Sequence, residues 1–370
     1  MRNTLICTVG TSLFNNLKFS QEESIKQAFE GKNWNQLSRL LLQRKNNERI
    51  CGAEINSITS ICEKGFLNPR IRLIFLVSDT ADGQVIGEIL KLYYNNASNP
   101  LQFEQVEVRV LEGLRDDDVK TFKQQGLKNL VCEISTEVRN FSPEVIAINA
   151  TGGYKAQISF AGMIGQALEI PVYYLFEKFS EVIELPPQPV ALDLVFWLNN
   201  YLFFEQLADK NLIAKSELEE SLKCGYIESI IDEEWIDNTS YIALSAMGVL
   251  FHERSRLQFD KQESTRLSLI PMDDTEPEKK SISIRDDHGK DVLQVFAQKI
   301  RRSPYVKRVV NSLPWNPRRT NPIRRTKPNG IVEFVLTWTD QGLGLCIETT
   351  GRDLVETNTI ALHLAKEFTK

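Results

Sequence analysis

The sequence predicts a mixed α/β protein: a doubly wound parallel sheet in the first half, then a small helical module, then an α+β module. Three observations predict this class. Short apolar runs alternate with helix-period segments over residues 1–190, as buried parallel strands and their covering helices do. The proline-rich run 185–189 interrupts that pattern, and the charge balance changes sign from residue 281.

The elements of the first half follow in a regular order. The apolar residues of 4–9 run without a break, which is typical of a strand buried on both faces. Residues 22–40 and 46–62 have helical periodicity and are predicted to be helices inserted before the second strand. The remaining predicted elements are strands at 71–77, 103–111, 145–148 and 172–176, and helices at 84–94, 122–138 and 156–168.

Polar residues follow three of these strands where each one ends. Because the carboxyl ends of parallel strands share one edge of a sheet, we expect these residues to line one ligand crevice where the strand order reverses. Paired glycines let the backbone approach a ligand closely, and the start of a helix favours phosphate, with Lys155 as a point charge beside it. The predicted ligand-binding residues are Gly10, Thr11, Ser12, Asn15, Ser78, Asp79, Thr151, Gly152, Gly153, Tyr154 and Lys155.

Two of these stretches carry a family resemblance. Residues 8–13 (TVGTSL) together with 149–155 (NATGGYK) resemble the CARF domain, the Rossmann-like sensor of CRISPR-associated proteins. The resemblance covers 1–190 and implies a homodimer that binds a cyclic oligoadenylate, expected to be cyclic tetra-adenylate, across its two-fold axis. It implies that Gly10 to Asn15 hold one ligand segment and that 151–155 hold phosphates and ribose. In some relatives the residues matching Ser12 and Lys155 also cut the ligand, so ring-nuclease activity is an implied second role.

Composition and length bound the function. The chain has 370 residues, 42% hydrophobic and 25% charged, with a formal net charge of −5, as in ordinary globular proteins. No apolar stretch is long enough to span a membrane, and the first residues lead straight into a strand, so we expect a soluble, cytoplasmic protein without a membrane partner. The six cysteines form no CxxC pair and three histidines are present, so the sequence predicts no metal site and no cofactor besides the allosteric ligand.

Residues 191–256 are predicted to be a small winged-helix-like connector that also serves dimerisation. Residues 242–248 resemble the wing strand and last helix of such a unit. Acidic residues within 217–220 and 232–234 disfavour contact with phosphate, which favours a connector over a DNA reader. Residues 257–280 are polar and contain two prolines, so they are predicted to be a linker.

The last module, 281–370, differs from the rest in charge. It has 15 Lys and Arg against 9 Asp and Glu, a balance of +6, which leaves −11 for residues 1–280. Ten basic residues and no acidic one lie between 299 and 327, which favours binding to a nucleic-acid backbone, with Arg318, Arg319 and Trp315 as predicted RNA contacts. The predicted elements are a strand at 281–285, helical spacing over 291–310 that Pro304 can break, a hairpin of 330–339 with 343–349 around 340–342, and a helix at 359–368.

The size, element order and charge of this α+β module resemble the RelE toxins, ribosome-dependent mRNA endonucleases that need no metal. The resemblance implies attack of a ribose 2′-OH on the adjacent phosphate, with Lys and Arg stabilising the transition state. Val332 replaces the family's arginine after the hairpin glycine, and His363 or Lys366 stands in place of the family's tyrosine near the C-terminus. The implied catalytic residues are Arg324, Arg325 and Lys327 before the hairpin, Arg352 in the turn after the last strand, and His363.

These resemblances together predict a CARF–RelE fusion of a type III CRISPR defence system, in which the ligand activates mRNA cleavage on the ribosome. Three further functions stay open. A metal-dependent nuclease needs a Glu-x-Lys on neighbouring strands, whereas residues 278–280 of this half lie in the predicted linker. The chain could also be a ligand-sensing winged-helix transcription regulator, or a protein that mainly cleaves the cyclic ligand.

Overall fold

The chain folds into two compact units, each built from several stretches of sequence. Unit 1 comprises Met1–Ala191, Tyr226–Asp232 and Leu244–Arg254, and unit 2 comprises Leu192–Gly225, Glu233–Ala243 and Ser255–Lys370. The structure, a computed structural model, describes residues 1–176, 181–188, 192–210, 212–218, 227–286, 289–316, 322–336 and 342–368, with the backbone alone for 227, 228, 314–316 and 342. The four sequence segments 1–190, 191–256, 257–280 and 281–370 stay predictions of domain organisation.

A largely parallel sheet forms the centre of unit 1. Its described strands are β1 (Thr4–Thr8), β2 (Arg72–Ser78), β3 (Gln105–Leu111), β4 (Ile146–Asn149), β5 (Val172–Tyr174) and β6 (Ile183–Leu185). They lie in the order β3-β2-β1-β4-β5-β6, and each neighbouring pair is parallel except β5 with β6. β1, β2 and β4 are buried along their whole length, as their continuous apolar sequences require. The predicted parallel α/β sheet is confirmed.

Helices of unit 1 cover this sheet. They are α1 (Ser12–Lys18), α2 (Glu23–Glu30), α3 (Trp34–Leu42), α4 (Gly52–Glu63), α5 (Ala81–Tyr94), α6 (Val119–Thr121), α7 (Leu127–Phe141) and α8 (Lys155–Leu168). The first four lie between β1 and β2 in the sequence, where helices were predicted. Ile55 and Ile58 of α4 share one buried cluster with Leu5 and Cys7 of β1, so α4 is a core helix of the unit.

The middle of the chain is mostly helical, with a small sheet. Its elements are α9 (Leu194–Asn199), α10 (Tyr201–Lys210), β7 (Ile213–Ala214), α11 (Ile227–Ile230), β8 (Ile231–Ile236), β9 (Thr239–Leu244) and α12 (Ala246–Leu267). The sheet order is β7-β9-β8, and Asp237 and Asn238 turn between β8 and β9 with φ of +48° and +61°. α12 includes residues 257–267, so this part of the predicted linker is helical. The winged-helix assignment stays a prediction.

The last part of unit 2 is an antiparallel sheet with a helix before and after it in sequence. The elements are α13 (Lys290–Ile300), β10 (Val306–Asn316), β11 (Ile323–Thr326), β12 (Ile331–Leu336), β13 (Gly342–Thr349) and α14 (Leu354–Phe368). The described strands lie in the order β10-β13-β12-β11. The predicted hairpin is confirmed by the pairing of β12 with β13, although 337–341 of its turn lie outside the described residues.

No helix among the described ranges is both long and apolar enough to cross a bilayer.

One predicted element of this part is wrong and another is right only as far as its predicted break. Residues 281–285 do not form a strand: Ile282 makes a single parallel bridge to Val309 of β10. The helix predicted over 291–310 ends at Ile300, and β10 begins at Val306. The break falls beside Pro304, where the sequence allowed one, because proline lacks an N–H and disfavours helical backbone in Ser303. The apolar residues that follow Pro304 lie in a strand instead of continuing the helix.

Candidate functional site

The two glycine motifs of the sequence meet in space. β1 pairs with β2 on one side and with β4 on the other, so the strand order reverses beside β1, where ligands bind in such sheets. The loop after β1 contacts the loop after β4 so closely that a Cβ on Gly10 would lie 2.6 Å from the backbone N of Gly153. Thr8 Oγ1 also donates to the carbonyl of Gly152. The two loops therefore meet at one place on this edge of the sheet, where the ligand crevice is predicted.

Asn149 shapes the loop that follows β4. Its buried side chain accepts hydrogen bonds at Oδ1 from Thr151 Oγ1 at 2.7 Å and from Thr151 N at 3.3 Å. The Thr151 hydroxyl in turn accepts from Leu175 N at 3.0 Å. Since this hydroxyl donates and accepts inside the protein and Thr151 N also donates to Asn149, Thr151 shapes the loop, and its contact with a ligand stays a prediction.

Lys155 opens helix α8 at the mouth of the crevice. Gly153 has φ of +114°, which favours glycine, and Tyr154 N donates to Gln157 Oε1 at 3.2 Å at the helix start. Lys155 is exposed, and within the described residues no carboxylate forms an ion pair with it. The crevice thus has a cation at its rim that is free to meet an anionic ligand.

Tyr154 and Ser78 connect the crevice to the end of β2. The Tyr154 hydroxyl hydrogen-bonds Ser78, and its ring lies edge-on to Phe122 with centroids 5.4 Å apart. Burial raises the pKa of Tyr154, so its hydroxyl is a neutral donor at physiological pH. Asp79 instead accepts from Gly113 N at 3.2 Å, in the loop after β3. Ser78 therefore lies at the crevice, whereas the Asp79 carboxylate is hydrogen-bonded to the loop after β3.

The predicted residues after β1 divide into supporting and exposed groups. Gly10 N donates to Glu54 Oε1 at 2.8 Å, and Ser12 Oγ accepts from Ala53 N at 3.2 Å, so both are tied to α4. Thr11 and Asn15 are exposed at the start of α1. Of the predicted ligand groups after β1, these two side chains are the ones open to solvent.

Glu54 is a residue of the candidate site that the sequence analysis missed. Its side chain is 0% exposed, and a Cβ on Gly152 would lie 2.1 Å from its Oε1, so the carboxyl contacts both glycine loops. Burial raises the pKa of Glu54, while hydrogen bonds from Gly10 N–H and Ser12 oppose the rise. Nearby on α4, Ser57 Oγ accepts from Asn149 Nδ2 at 2.8 Å. A glutamate in the first turn of a helix ordinarily complements the helix dipole at the surface, so no sequence signal marked this one.

A basic edge forms in unit 2 where the β11–β12 turn meets the end of β13. Arg325 and Lys327 are exposed, and Arg324 Nε lies 3.4 Å from Glu333 Oε2 on β12. The carbonyl of Gly330 in the turn accepts from Thr349 N at 2.8 Å, which brings this turn beside the one that carries Arg352. The predicted catalytic residues of the hairpin and Arg352 are thus at the same end of the sheet.

Arg352 borders a cleft of about 660 Å³. Its guanidinium pairs with Glu356, with Nε 2.9 Å from Oε2, and donates to the carbonyl of Leu269 at 3.3 Å. Thr350 Oγ1 is buried and has no hydrogen-bond partner among the described residues. Both basic and acidic residues line the cleft. Its lining consists of Pro271, Met272, Asp273, Asp274, Thr275, Lys307, Thr350 and Arg352.

His363 has a different environment from the basic edge. Its Nδ1 lies 2.7 Å from Glu263 Oε1 of α12, and Lys366 Nζ lies 2.9 Å from Glu263 Oε2. No described hydrogen bond or ion pair joins His363 to Arg324, Arg325, Lys327 or Arg352, so its catalytic role stays a prediction. Arg318 and Arg319 lie outside the described residues, and of Trp315 only the backbone, within β10, is described.

Comparison with known proteins gives two findings. Residues 49–188 match the family described as CRISPR-associated protein (Cas_APE2256). Among solved structures, the chain is similar to Can2 from Sulfobacillus thermosulfidooxidans in complex with cyclic tetra-adenylate, with 11% identity, coverage of 74% of this chain and 68% of that chain, and a TM-score of 0.22. That score is too low to carry an argument about fold or function. Over residues 49–188, which include Glu54 and the glycine loop after β4, the chain is similar to a family of CRISPR-associated proteins.

Proposed function

We propose that the chain is a CRISPR defence effector in which unit 1 binds a cyclic oligoadenylate and unit 2 cleaves mRNA on the ribosome. The observation that carries the proposal is the meeting of the two glycine loops at the reversal of strand order. One of these loops lies in the segment that matches a CRISPR-associated family. The activity takes place in the cytoplasm, where ribosomes and mRNA are present.

The chemistry of the crevice supports an anionic, nucleotide-containing ligand. Lys155 provides an exposed cation, and the glycines let the backbone approach phosphate oxygens. The exposed side chains of Thr11 and Asn15 offer hydrogen bonds to ribose or base. We assign cyclic tetra-adenylate as the ligand and a homodimer as the binding form, on the motif resemblance of 8–13 and 149–155 to CARF sensors.

A metal-independent ribonuclease is the activity we assign to the basic edge of unit 2. Arginine does not lose its proton, so Arg325 and Arg352 serve as electrostatic clamps on the phosphate while Lys327 is the group able to move a proton. These cations act where negative charge develops as the ribose 2′-OH attacks the adjacent phosphate. The exposure of Arg325 and Lys327 supports this role.

Control by the ligand requires two arrangements of the protein with different affinities for it. The ring can itself be a substrate, because Ser12 and Lys155 flank the crevice and match the residues that cut the ligand in some CARF proteins. Slow ring cleavage would then end the signal. A variant without ring cleavage is expected to stay active for longer after a single dose of ligand.

A purified translation system tests the proposal. mRNA cleavage is measured with and without cyclic tetra-adenylate, on translating ribosomes and on naked RNA, for the wild type and Lys155→Ala. Lys91→Ala, which removes an exposed lysine from α5, is the control of equal charge. The proposal expects ligand-dependent cuts at codons in the wild type and in Lys91→Ala, and none in Lys155→Ala. This result would support both ligand binding by unit 1 and mRNA cleavage by unit 2.

Three different results would each assign a different function. Cuts in naked RNA or DNA that require Mg²⁺ or Mn²⁺ would replace the ribosome-dependent activity with a metal nuclease. Ligand-dependent binding to a specific DNA sequence without RNA cleavage would favour a transcription regulator. Loss of the cyclic ligand as the only reaction would make ring cleavage the main function.

A further inference from the structure

A buried carboxyl group lies under both glycine loops of unit 1. Glu54 Oε1 accepts from Gly10 N at 2.8 Å, and Gly152 packs so closely that a Cβ there would lie 2.1 Å from the same oxygen. Glu54 Oε2 is buried too, and it has no hydrogen-bond partner among the described residues. The carboxyl group therefore contacts both loops through Oε1, whereas Oε2 makes no hydrogen bond to the described residues.

Among the described residues, no positive charge forms an ion pair with Glu54. Within the same described ranges, the titratable groups whose charge acts on its carboxyl are Cys7 of β1 and Tyr94 of α5, and the neutral hydroxyl of Ser12 of α1 lies beside it. None of these is a cation, and no described ion pair includes Glu54. An ionised Glu54 is thus an uncompensated buried charge, close to the loops that are proposed to hold phosphates.

We propose that Glu54 is a positioning residue that holds the two glycine loops together and takes up a proton from solvent when an anionic ligand binds to them. The proposal rests on the cyclic oligoadenylate site proposed above. A ligand phosphate repels the carboxylate, and this repulsion favours the neutral acid. The neutral acid keeps Oε1 as acceptor for Gly10 N–H, so the loops stay joined while the charge disappears.

The sign of the effect follows from linkage. Where Glu54 is already neutral in the free protein, binding takes up no proton and the affinity does not depend on this group. As the pH rises and the free carboxyl ionises, binding must reverse that ionisation, so the affinity falls by up to about tenfold per pH unit, the limit for one linked proton. The ligand's phosphodiesters stay ionised throughout, so they do not contribute.

Calorimetric titration of the full chain with cyclic tetra-adenylate from pH 6 to pH 9 tests the proposal. Glu54→Gln keeps the acceptor oxygen and cannot ionise, so it is expected to bind with an affinity that changes little with pH. Glu63→Gln, on the exposed end of α4, is the control and is expected to follow the wild type. Subtracting the Glu54→Gln profile from that of the wild type removes the titration of all other groups.

Three outcomes overturn the inference. Identical pH profiles for wild type and Glu54→Gln would show that no proton is taken up there, and loss of binding by Glu54→Gln at every pH would show that the charge itself is needed. If the wild type binds no cyclic tetra-adenylate, the proposed ligand is wrong, and melting of the ligand-free proteins then tests the carboxyl alone. Glu54→Gln is expected to raise the melting temperature more at pH 9 than at pH 6, and an equal shift at both would contradict a buried acid that resists ionisation.

Discussion

Gly152 is constrained from three sides at the floor of the crevice. A Cβ there would lie 2.1 Å from Glu54 Oε1, 2.8 Å from Gly10 N and 3.0 Å from the Thr8 carbonyl. Two of these atoms are backbone and cannot move aside. We therefore expect Gly152→Ala to destabilise unit 1 by about 1–3 kcal/mol and to weaken ligand binding strongly, as measured by melting and calorimetry.

A second glycine provides the matched control. Gly162 lies in the middle of α8, and a Cβ there meets no atom within 4 Å. Gly162→Ala is expected to stabilise the protein by about 0.5–1 kcal/mol, because alanine favours helix, and to leave ligand binding unchanged. If both substitutions weakened binding equally, the close contacts at Gly152 would not be the cause.

Arg352 and Glu356 form an ion pair that can be separated by mutation. Arg352→Ala is expected to lower ribosome-dependent RNA cleavage about 10²-fold, the usual cost of losing one donor to a developing charge. Glu356→Gln frees the same guanidinium, so we expect cleavage to be kept or raised. An equal loss in both variants, measured at saturating cyclic tetra-adenylate, would mean that the pair is structural and that the phosphate clamp lies elsewhere.

The residues of the crevice were predictable to different degrees. Gly10, Gly152, Gly153 and Lys155 stand in local motifs, so the sequence was sufficient to predict that their loops lie at one edge of the sheet, while their contact with a ligand stays a prediction. Glu54 and Asn149 act through contacts with residues that are distant in sequence, and only the fold reveals which oxygen meets which N–H. For the same reason, the sequence did not predict the hydrogen bond from Leu175 N to the Thr151 hydroxyl.

Helices α12 and α14 are joined by a charged cluster in unit 2. Burial acts to raise the pKa of Glu263, but hydrogen bonds from Lys366 and His363 outweigh it and hold the pKa below its ordinary value. A depressed pKa means that the contribution to stability is present above the unfolded pKa of about 4.3 and is lost as the pH falls through the folded pKa.

We therefore expect Glu263→Gln to lower the local stability of these helices by about 1–2 kcal/mol at pH 7, with a smaller difference near pH 3. Hydrogen exchange of the α12 and α14 amides measures this local stability at both pH values. Glu278→Gln changes an exposed glutamate of the same unit and is expected to have no effect. A loss that is equal at both pH values would show that the cluster acts by packing rather than by charge.

Element boundaries show what the sequence could not determine. The parallel strands of unit 1 were predicted closely, because parallel strands buried on both faces have strong patterns. The short elements α1 and β6 were not predicted, and the helix predicted over 22–40 is two helices, α2 and α3. The helical part of the predicted linker, 257–267, is polar, and its contacts with α14 through Asp260 and Glu263 come from residues about 100 positions away. The polar composition of such a segment does not distinguish a helix with distant partners from a flexible link.

Charge is divided unevenly over the whole molecule, with +6 in 281–370 and −11 in 1–280. RNA binding by the full chain should therefore depend steeply on salt. For about four phosphates contacted, the logarithm of the affinity falls with a slope of roughly −3 against the logarithm of the salt concentration, or about 50-fold between 50 and 200 mM. Fluorescence anisotropy with a short single-stranded RNA measures this slope.

Substitution of the basic edge gives the matching test. Arg325→Ala with Lys327→Ala removes two contacts and is expected to make the slope shallower by about 1.4. The double change Lys26→Ala with Lys91→Ala in unit 1 removes the same charge from exposed helices and is expected to leave the slope unchanged. A slope near zero in the wild type would show that the basic tract does not bind RNA through its phosphates.

The pairing of β1 with β4 also sets the order of events while the chain is being made. Thr8 and Asn149 meet although they are 141 positions apart in the sequence, and Thr151 is hydrogen-bonded to Leu175 further on. The crevice is complete once that stretch has left the ribosome, and β13 of the basic sheet is synthesised roughly 10–30 s later at ordinary rates of translation. Under the proposed function, the loops that bind the ligand are therefore complete before the basic sheet that cleaves RNA has been synthesised.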